Sequence, residues 1–400
     1  MTAPWLHIIG IGADGLASLM PASRAALEAA EVIVGSERLH ALTSDLGGER
    51  LCWPSPFDMM VDTIAGLRGR RVAVLATGDP LWFSVGARLG TVIDPAEIVY
   101  HPQLSAFQLA SARLGWSLAD VETVTAHGRA PEQILPFVAP GIRMLVFTAG
   151  AETPAQVAGL LRDGGYGAST MIVFSDLGAE TEARAAGTAA DWNAEVGALN
   201  TLAVECVAEP QAQLLSRVPG LPDTVFTHDG KMTKRETRAV TLSHLMPQRG
   251  ALLWDIGCGS GSVAIEWMRA APDAHAIGIE PRADRRAMAA ENALALGVPR
   301  LELRAGSAPE ALDGLPAPDA VFMGGGIGVE SFDPAWEALK PLGRLVANAV
   351  TLESEAVLIG LHARFGGMLT RLSVSRARPV GPFTGWGNLM TVTQLALIKR

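Results

Sequence analysis

Charge is scarce in this chain of 400 residues: 18% are Asp, Glu, Lys or Arg, with 41 acidic against 32 basic residues and a net charge of −9. No cationic run interrupts that balance, whereas a nucleic-acid binder presents a basic face, so that class loses ground and no nucleic-acid partner is expected. Cysteine is scarcer still. Cys52, Cys206 and Cys258 are odd in number and far apart, which excludes a disulfide framework or a zinc cluster; no metal is expected, and a reducing cytoplasm is the simplest compartment. No apolar run reaches the ~18 residues that span a bilayer, so no membrane partner is expected. The apolar stretch Trp5–Gly12 has no cationic residues before it and stops at Asp14, which marks a first buried strand rather than a signal peptide. Internal repeats and low-complexity tracts are also missing.

What the chain does have is apolar mass. Hydrophobic residues make up 49%, and 43 glycines and 25 prolines are spread evenly, as turns between strands and helices require. This length suits two domains. In the first half, short β-branched runs at Leu6–Ile9, Val32–Val34, Arg71–Ala76, Met144–Thr148, Thr170–Phe174 and Thr201–Val207 alternate with helical stretches such as Ala22–Ala30 and Gln156–Arg162. Pro210, Pro219 and Pro222 mark a linker. The expected division is 1–212, a linker over 213–224, and 225–400. In the second half, strands at Ala251–Ile256, His275–Ile279, Arg300–Arg304, Ala320–Met323 and Arg344–Ala349 alternate with helices, and two long runs, Met368–Ala377 and Leu389–Ile398, flank the loop Arg378–Asn388. Alternation implies an α/β fold with a doubly wound parallel sheet in that half, closed by an antiparallel hairpin.

The sharpest local signal is Asp255-Ile256-Gly257-Cys258-Gly259-Ser260-Gly261, between a buried strand and a helix. Glycines let a ligand approach the backbone, and the helix N-terminus offers free N–H groups. An acid two residues before the first glycine would repel a pyrophosphate but suits a ligand with a cationic end, which disfavours a nicotinamide enzyme and points to S-adenosylmethionine. Glu280 closes the next strand, where a carboxylate accepts from both ribose hydroxyls. Gly306-Ser307-Ala308 follows the third strand, where such folds contact adenine. The plain alternative is a capped glycine turn with surface acids.

These elements resemble the class I methyltransferases, over most of 225–400, and imply a Rossmann-like fold there. Enzymes of that class that methylate nucleobase nitrogens place an Asn/Asp-Pro-Pro-Tyr turn after strand four; Met323-Gly324-Gly325-Gly326 stands here instead. Upstream, Met232-Thr233-Lys234 followed by Glu236 is similar to the decarboxylating precorrin methyltransferases, and the resemblance makes Thr233 a cofactor contact. The alternative is a helix N-cap at Thr233 with Glu236 completing a capping box.

In the first half, Gly10-Ile11-Gly12-Ala13-Asp14-Gly15, Thr77-Gly78-Asp79-Pro80, Ser105-Ala106 and Thr148-Ala149-Gly150 together resemble the tetrapyrrole methyltransferases, a second and unrelated (class III) fold of two α/β lobes. The resemblance implies cofactor contacts at Gly10, Gly12, Gly78, Asp79, Ser105, Ala106, Thr148 and Ala149. The first turn departs from the family's Gly-x-Gly-Pro-Gly-Asp: its proline is missing and its acid and glycine are exchanged.

Both folds on one chain resemble the fused precorrin-6Y C5,15-methyltransferase (decarboxylating) family. The resemblance implies a bifunctional enzyme of cobalamin biosynthesis with one S-adenosylmethionine site per domain, releasing S-adenosylhomocysteine. It further implies methylation of a precorrin-6 at C5 by the first half, methylation at C15 with loss of the C12 acetate carboxyl by the second, precorrin-8 as product, and a homo-oligomer. No nucleophile is required, and Cys258 is read as a small turn residue. A general acid would protonate the carbon left by decarboxylation, with His228, Asp229, Lys231 and Lys234 as candidates. Lys231, Lys234, Arg235 and Arg238, and separately Arg376 and Arg378, are candidate partners for a polyanionic substrate; for the first group a solvated helix face is the alternative. Two other readings remain at this point: a methyltransferase for RNA or protein, and a chain in which one half is a non-catalytic scaffold.

Overall fold

The computed structural model describes residues 4–53 and 59–400. It divides into two compact units, residues 1–131 with 140–212, and residues 132–139 with 213–400. The residues read as a linker fold into the second unit: the Gly220 and Leu221 amides donate to the Glu266 carboxylate at 2.6 and 3.0 Å.

The first unit holds two sheets. In the first, β1 (Leu6–Ile11), β2 (Val32–Gly35), β3 (Glu49–Cys52), β4 (Val72–Thr77) and β5 (Ile98–His101) run parallel in the order β3-β2-β4-β1-β5. Parallel strands are covered on both faces, which is why β1 carries apolar residues at nearly every position. Leu6 and Ile8 enter one core and Ile9 and Ile11 the other. The second sheet is mixed. It comprises β6 (Glu122–Thr125), β7 (Arg143–Phe147), β8 (Thr170–Ser175), β9 (Ala183–Thr188) and β10 (Asn200–Glu205), in the order β6-β7-β10-β8-β9. Only β6 and β7 are parallel there.

The second unit is built on one sheet of seven strands: β11 (Leu252–Ile256), β12 (His275–Glu280), β13 (Glu302–Ala305), β14 (Ala320–Met323), β15 (Arg344–Ala349), β16 (Met368–Leu372) and β19 (Val392–Ile398), in the order β13-β12-β11-β14-β15-β19-β16. The first five are parallel; β19 lies antiparallel to β15 and to β16. Strand order reverses between β11 and β14, and ligands of such sheets bind beyond the C-terminal ends of the strands at that switch.

The loop expected over Arg378–Asn388 is a hairpin of its own. β17 (Ser375–Val380) and β18 (Phe383–Asn388) pair as a separate two-stranded sheet around Gly381, whose φ is +58°. Ser373 and Val374 break the first long run before that hairpin begins. Among the described residues, no helix is long and apolar enough to cross a membrane.

Candidate functional site

In the second unit, the site forms where the sheet order reverses. Gly257, Gly259 and Gly261 have φ of +74°, +56° and +76°, a left-handed region that side chains disfavour, so the spacing of the three glycines is set by backbone conformation. The turn delivers the chain into the helix Ser262–Ala270. Asp255, the penultimate residue of β11, is 1% exposed. Its Oδ2 accepts from the Ala264 amide at 3.1 Å, while its Oδ1 has no hydrogen-bond partner. Burial pushes its pKa up to about 7; the Ala264 amide opposes that and the Glu280 charge adds to it.

Glu280 ends β12 and is equally buried. Its Oε2 accepts from the Gly259 amide and its Oε1 from the Arg282 amide, each at 3.1 Å. Two carboxylates thus face one glycine turn. The buried Ser260 hydroxyl of the same turn also has no partner. Unspent buried acceptors are costly unless a donor reaches them, and a ligand with an ammonium and ribose hydroxyls supplies such donors. The residues present fit S-adenosylmethionine. The Cys258 thiol is pushed upward by burial and by Asp255 and Glu280, so it stays protonated and offers no nucleophile.

The Lys231 carbonyl lies over the turn, 3.7 Å from where a Cβ on Gly259 would stand. That placement brings the backbone of Lys231 to the site. Gly324, Gly325 and Gly326 are exposed after β14 and border it as well, the Gly325 carbonyl approaching the Cβ position of Gly257 to 3.2 Å. Ser307 and Ala308 sit in the loop after β13, with the Ser307 carbonyl accepting from Ala311.

Three sequence readings change here. The helix Arg235–Leu245 has Lys234, not Thr233, at its N-cap, and Glu236 reaches Arg376 at 2.6 Å, so no capping box forms. Arg238 is no substrate donor: it is fully buried and bonds Glu266, Asp223 and the Thr233 and Leu221 carbonyls. Arg376, on β17, is likewise paired, with Asp223 and Glu236.

Among the proposed acids, Asp229 binds Arg285 at 2.6 Å, which holds its carboxyl below the usual range; it is ionised and has no proton to give. His228 Nδ1 accepts from the Gly230 amide at 3.0 Å, an arrangement that puts the neutral ring's proton on Nε2.

The first unit forms its own cleft at the ends of β1 and β4. The Gly78 amide donates to Ile11 at 3.0 Å, and a Cβ on Gly10 would collide with the Gly78 carbonyl. Gly78 has φ of +64° and lies against Ser105, whose Cα is 3.0 Å from its Cβ position. Asp79 folds its loop by accepting from the Leu81 amide at 2.7 Å. Gly12, Gly78 and Ala106 line the cleft. Asp14 accepts from Ser18 at 2.6 Å, a local bond that steadies the altered first turn.

Two lining residues escaped the sequence reading. Asn200 starts β10, and its carbonyl accepts from Thr148 Oγ1 at 2.7 Å while its Nδ2 donates to the Gly150 and Gly197 carbonyls; its Oδ1 has no partner. An Asn opening an apolar strand was the available signal. Arg38, just past β2, donates to Thr77 Oγ1 at 2.6 Å. Gly12, Thr77, Gly78 and Ala106 therefore share one cleft with Asn200, to which the Thr148 turn is tied by its hydroxyl, and Asn200 Oδ1 is a free acceptor for a ligand amine or hydroxyl.

Comparison with known proteins covers both units. The family of tetrapyrrole (corrin/porphyrin) methylases matches residues 5–192, and the precorrin methyltransferase domain family matches residues 224–399. A precorrin-6Y C(5,15)-methyltransferase (decarboxylating) from Sinorhizobium sp. is 45% identical over 100% of this chain and 97% of its own length. Two shorter relatives match less than half of the chain. A cobalt-precorrin-7 C(5)-methyltransferase of Salmonella typhimurium is 28% identical over 44% of this chain and 87% of its own. A probable cobalt-precorrin-6B C(15)-methyltransferase (decarboxylating) of Pyrobaculum calidifontis is 37% identical over 42% of this chain and 89% of its own.

Proposed function

Because the chain belongs to the precorrin-6Y C(5,15)-methyltransferase (decarboxylating) family, we propose that its two units divide that family's reactions between them. The protein is a decarboxylating C-methyltransferase of cobalamin biosynthesis. The second unit methylates C15 of a precorrin-6 and releases the C12 acetate carboxyl as carbon dioxide; the first methylates C5, giving precorrin-8. The observation that carries this reading is that each unit holds an unspent buried acceptor at its glycine turns: Asp255 Oδ1 in the second, Asn200 Oδ1 in the first. Relatives named for one reaction each, C(5) or C(15), support the division.

S-adenosylmethionine, one molecule per unit, supplies the methyl group as an electrophile at a sulfonium. In the second unit Asp255, Glu280 and the 257–261 turn would hold it, with Thr233 and the Ser307–Ala308 loop closing the site. In the first, the Gly10–Gly12 turn, Gly78, Asp79, the Ser105–Ala106 turn, the Thr148–Ala149 turn and Asn200 would do so. The electron-rich macrocycle is its own nucleophile, so the chain's task is alignment in an apolar, water-poor cleft. When the acetate C–C bond breaks, its electron pair enters the conjugated ring, and the carbon left behind takes a proton. His228, Lys231 and Lys234 are the candidate donors that remain once Asp229 is committed to Arg285.

We place the enzyme in the cytoplasm, a reading supported by its three free cysteines. A homo-oligomer would close over the hairpin β17–β18, where Val380, Phe383 and Trp386 are exposed.

Mass spectrometry of a precorrin-6 incubated with S-adenosylmethionine tests the division. The whole chain adds two methyls and loses carbon dioxide. Asp255→Asn keeps one methylation and loses the other together with decarboxylation; Gly10→Val does the reverse. A substrate left unchanged by the native chain would refute the assignment.

A further inference from the structure

Arg38 is the one basic side chain among the described residues lining the cleft of the first unit. It stands in the helix Glu37–Ala41, and its Nη2 donates to Thr77 Oγ1, one residue before Gly78. No carboxylate among the described residues pairs with it. Partial desolvation lowers its pKa, and the charge of Asp176 opposes that only in part. A guanidinium carries a fork of N–H donors, and here most of that fork is unspent. Arg38 is exposed at the cleft, so these unspent donors are open to an anionic ligand entering it.

The two ligands of this cleft differ in what they offer Arg38. The cofactor is cationic at sulfur and zwitterionic at its amino-acid end, so a fixed positive charge beside it brings little net attraction. The tetrapyrrole carries several carboxylate side chains on a flat apolar ring. Arg–carboxylate pairs are bidentate, fixing direction as well as position. Leu104, 55% exposed, and Leu109 line the same cleft and give such a ring an apolar wall. We propose that Arg38 grips a carboxylate side chain of the tetrapyrrole and thereby turns C5 toward the methyl donor. This rests on the reading that the first unit carries out C5 methylation.

The second unit provides an internal control. With 13C-methyl S-adenosylmethionine, the methyls at C5 and C15 give separate NMR signals, so both steps are followed in one incubation of the full chain. Arg38→Ala raises the KM for the tetrapyrrole in the C5 step by roughly tenfold or more, the effect of losing a charge-assisted hydrogen bond. The KM for S-adenosylmethionine, C15 methylation and carbon dioxide release stay at native values, and Arg38→Lys recovers part of the loss. An unchanged tetrapyrrole KM in Arg38→Ala overturns the inference. So does a rise confined to the KM for S-adenosylmethionine, which would make Arg38 a cofactor contact. C5 methylation that survives Gly10→Val would instead sink the reading of the first unit on which the inference rests.

Discussion

Arg238 Nε donates to Glu266 Oε1 at 2.6 Å, with both side chains closed off from solvent. The pair does more than neutralise itself. Arg238 also bonds the Thr233 and Leu221 carbonyls, stacks over Phe226 at 4.8 Å, and shares Asp223 with Arg376 of the hairpin. One buried cation thus fastens the turn that carries Thr233 to the segment Leu221–Asp223 of the same unit.

Removing one partner of a buried pair leaves the other charge stranded. Arg238→Met is expected to destabilise the second unit by about 3–5 kcal/mol and to loosen the Thr233 turn. The Arg238→Met/Glu266→Met double variant is expected to lose less than the sum of the single losses. Calorimetric unfolding of the full chain measures both, and strictly additive losses would show that the two side chains act independently.

How legible this was from sequence depends on how local each feature is. The Asp255–Gly261 turn was readable because the three glycines are required by their own φ values, and Glu280 because it closes the neighbouring strand. Arg238 was misread as surface charge: its partner Glu266 lies on a different helix, and nothing local distinguishes a buried arginine from a solvated one. Arg38 and Asn200 were missed because their roles exist only once two sheets converge on one cleft. The edge strand β9, Ala183–Thr188, has no bulky apolar residue to announce it. The strands β17 and β18 are exposed and built around Pro379, Gly381 and Pro382, residues that read as loop.

Asp255 predicts a proton-coupled cofactor site. With its pKa near 7 in the free protein, a fraction of the carboxyl is protonated at neutral pH, while a cationic ligand end favours the ionised form. Binding therefore releases a proton, and affinity at the second unit falls as pH drops below about 7. Calorimetry in buffers of different ionisation heat detects the release. Asp255→Asn is expected to abolish that pH dependence and one of the two binding events; a native chain with no proton release near pH 7 would contradict the account.

Two glycines separate conformational need from mere presence. Gly257 has φ of +74°, and a Cβ there stands 3.2 Å from the Gly325 carbonyl. Gly257→Ala is expected to cost about 1–2 kcal/mol for the left-handed conformation and to slow C15 methylation by shifting Gly325. Gly360 lies within the helix Leu352–Phe365, with nothing within 4 Å of its Cβ position. Gly360→Ala is expected to gain about 0.5–1 kcal/mol with activity unchanged. Thermal unfolding and C15 turnover of both variants distinguish the cases, and similar stability changes of the same sign would refute the argument.

His7 Nδ1 and His101 Nε2 lie 3.0 Å apart across β1 and β5. Burial lowers both pKa values, and His7 lowers that of His101 further. Two imidazoliums at that distance would repel, so at most one proton is shared and the pair is neutral in the folded protein near pH 7. In the unfolded chain each ring titrates at its ordinary value of 6.5. Unfolding therefore takes up protons at mildly acidic pH, and the stability contributed by the neutral pair is complete above pH 6.5 and lost as pH falls through the lower folded values. The unfolding temperature of the first unit is expected to drop between pH 7.5 and 5.5. In His101→Gln, which keeps a neutral hydrogen-bonding group but cannot titrate, that drop should be smaller. Equal slopes in the two proteins would mean that other groups govern the acid sensitivity of this sheet.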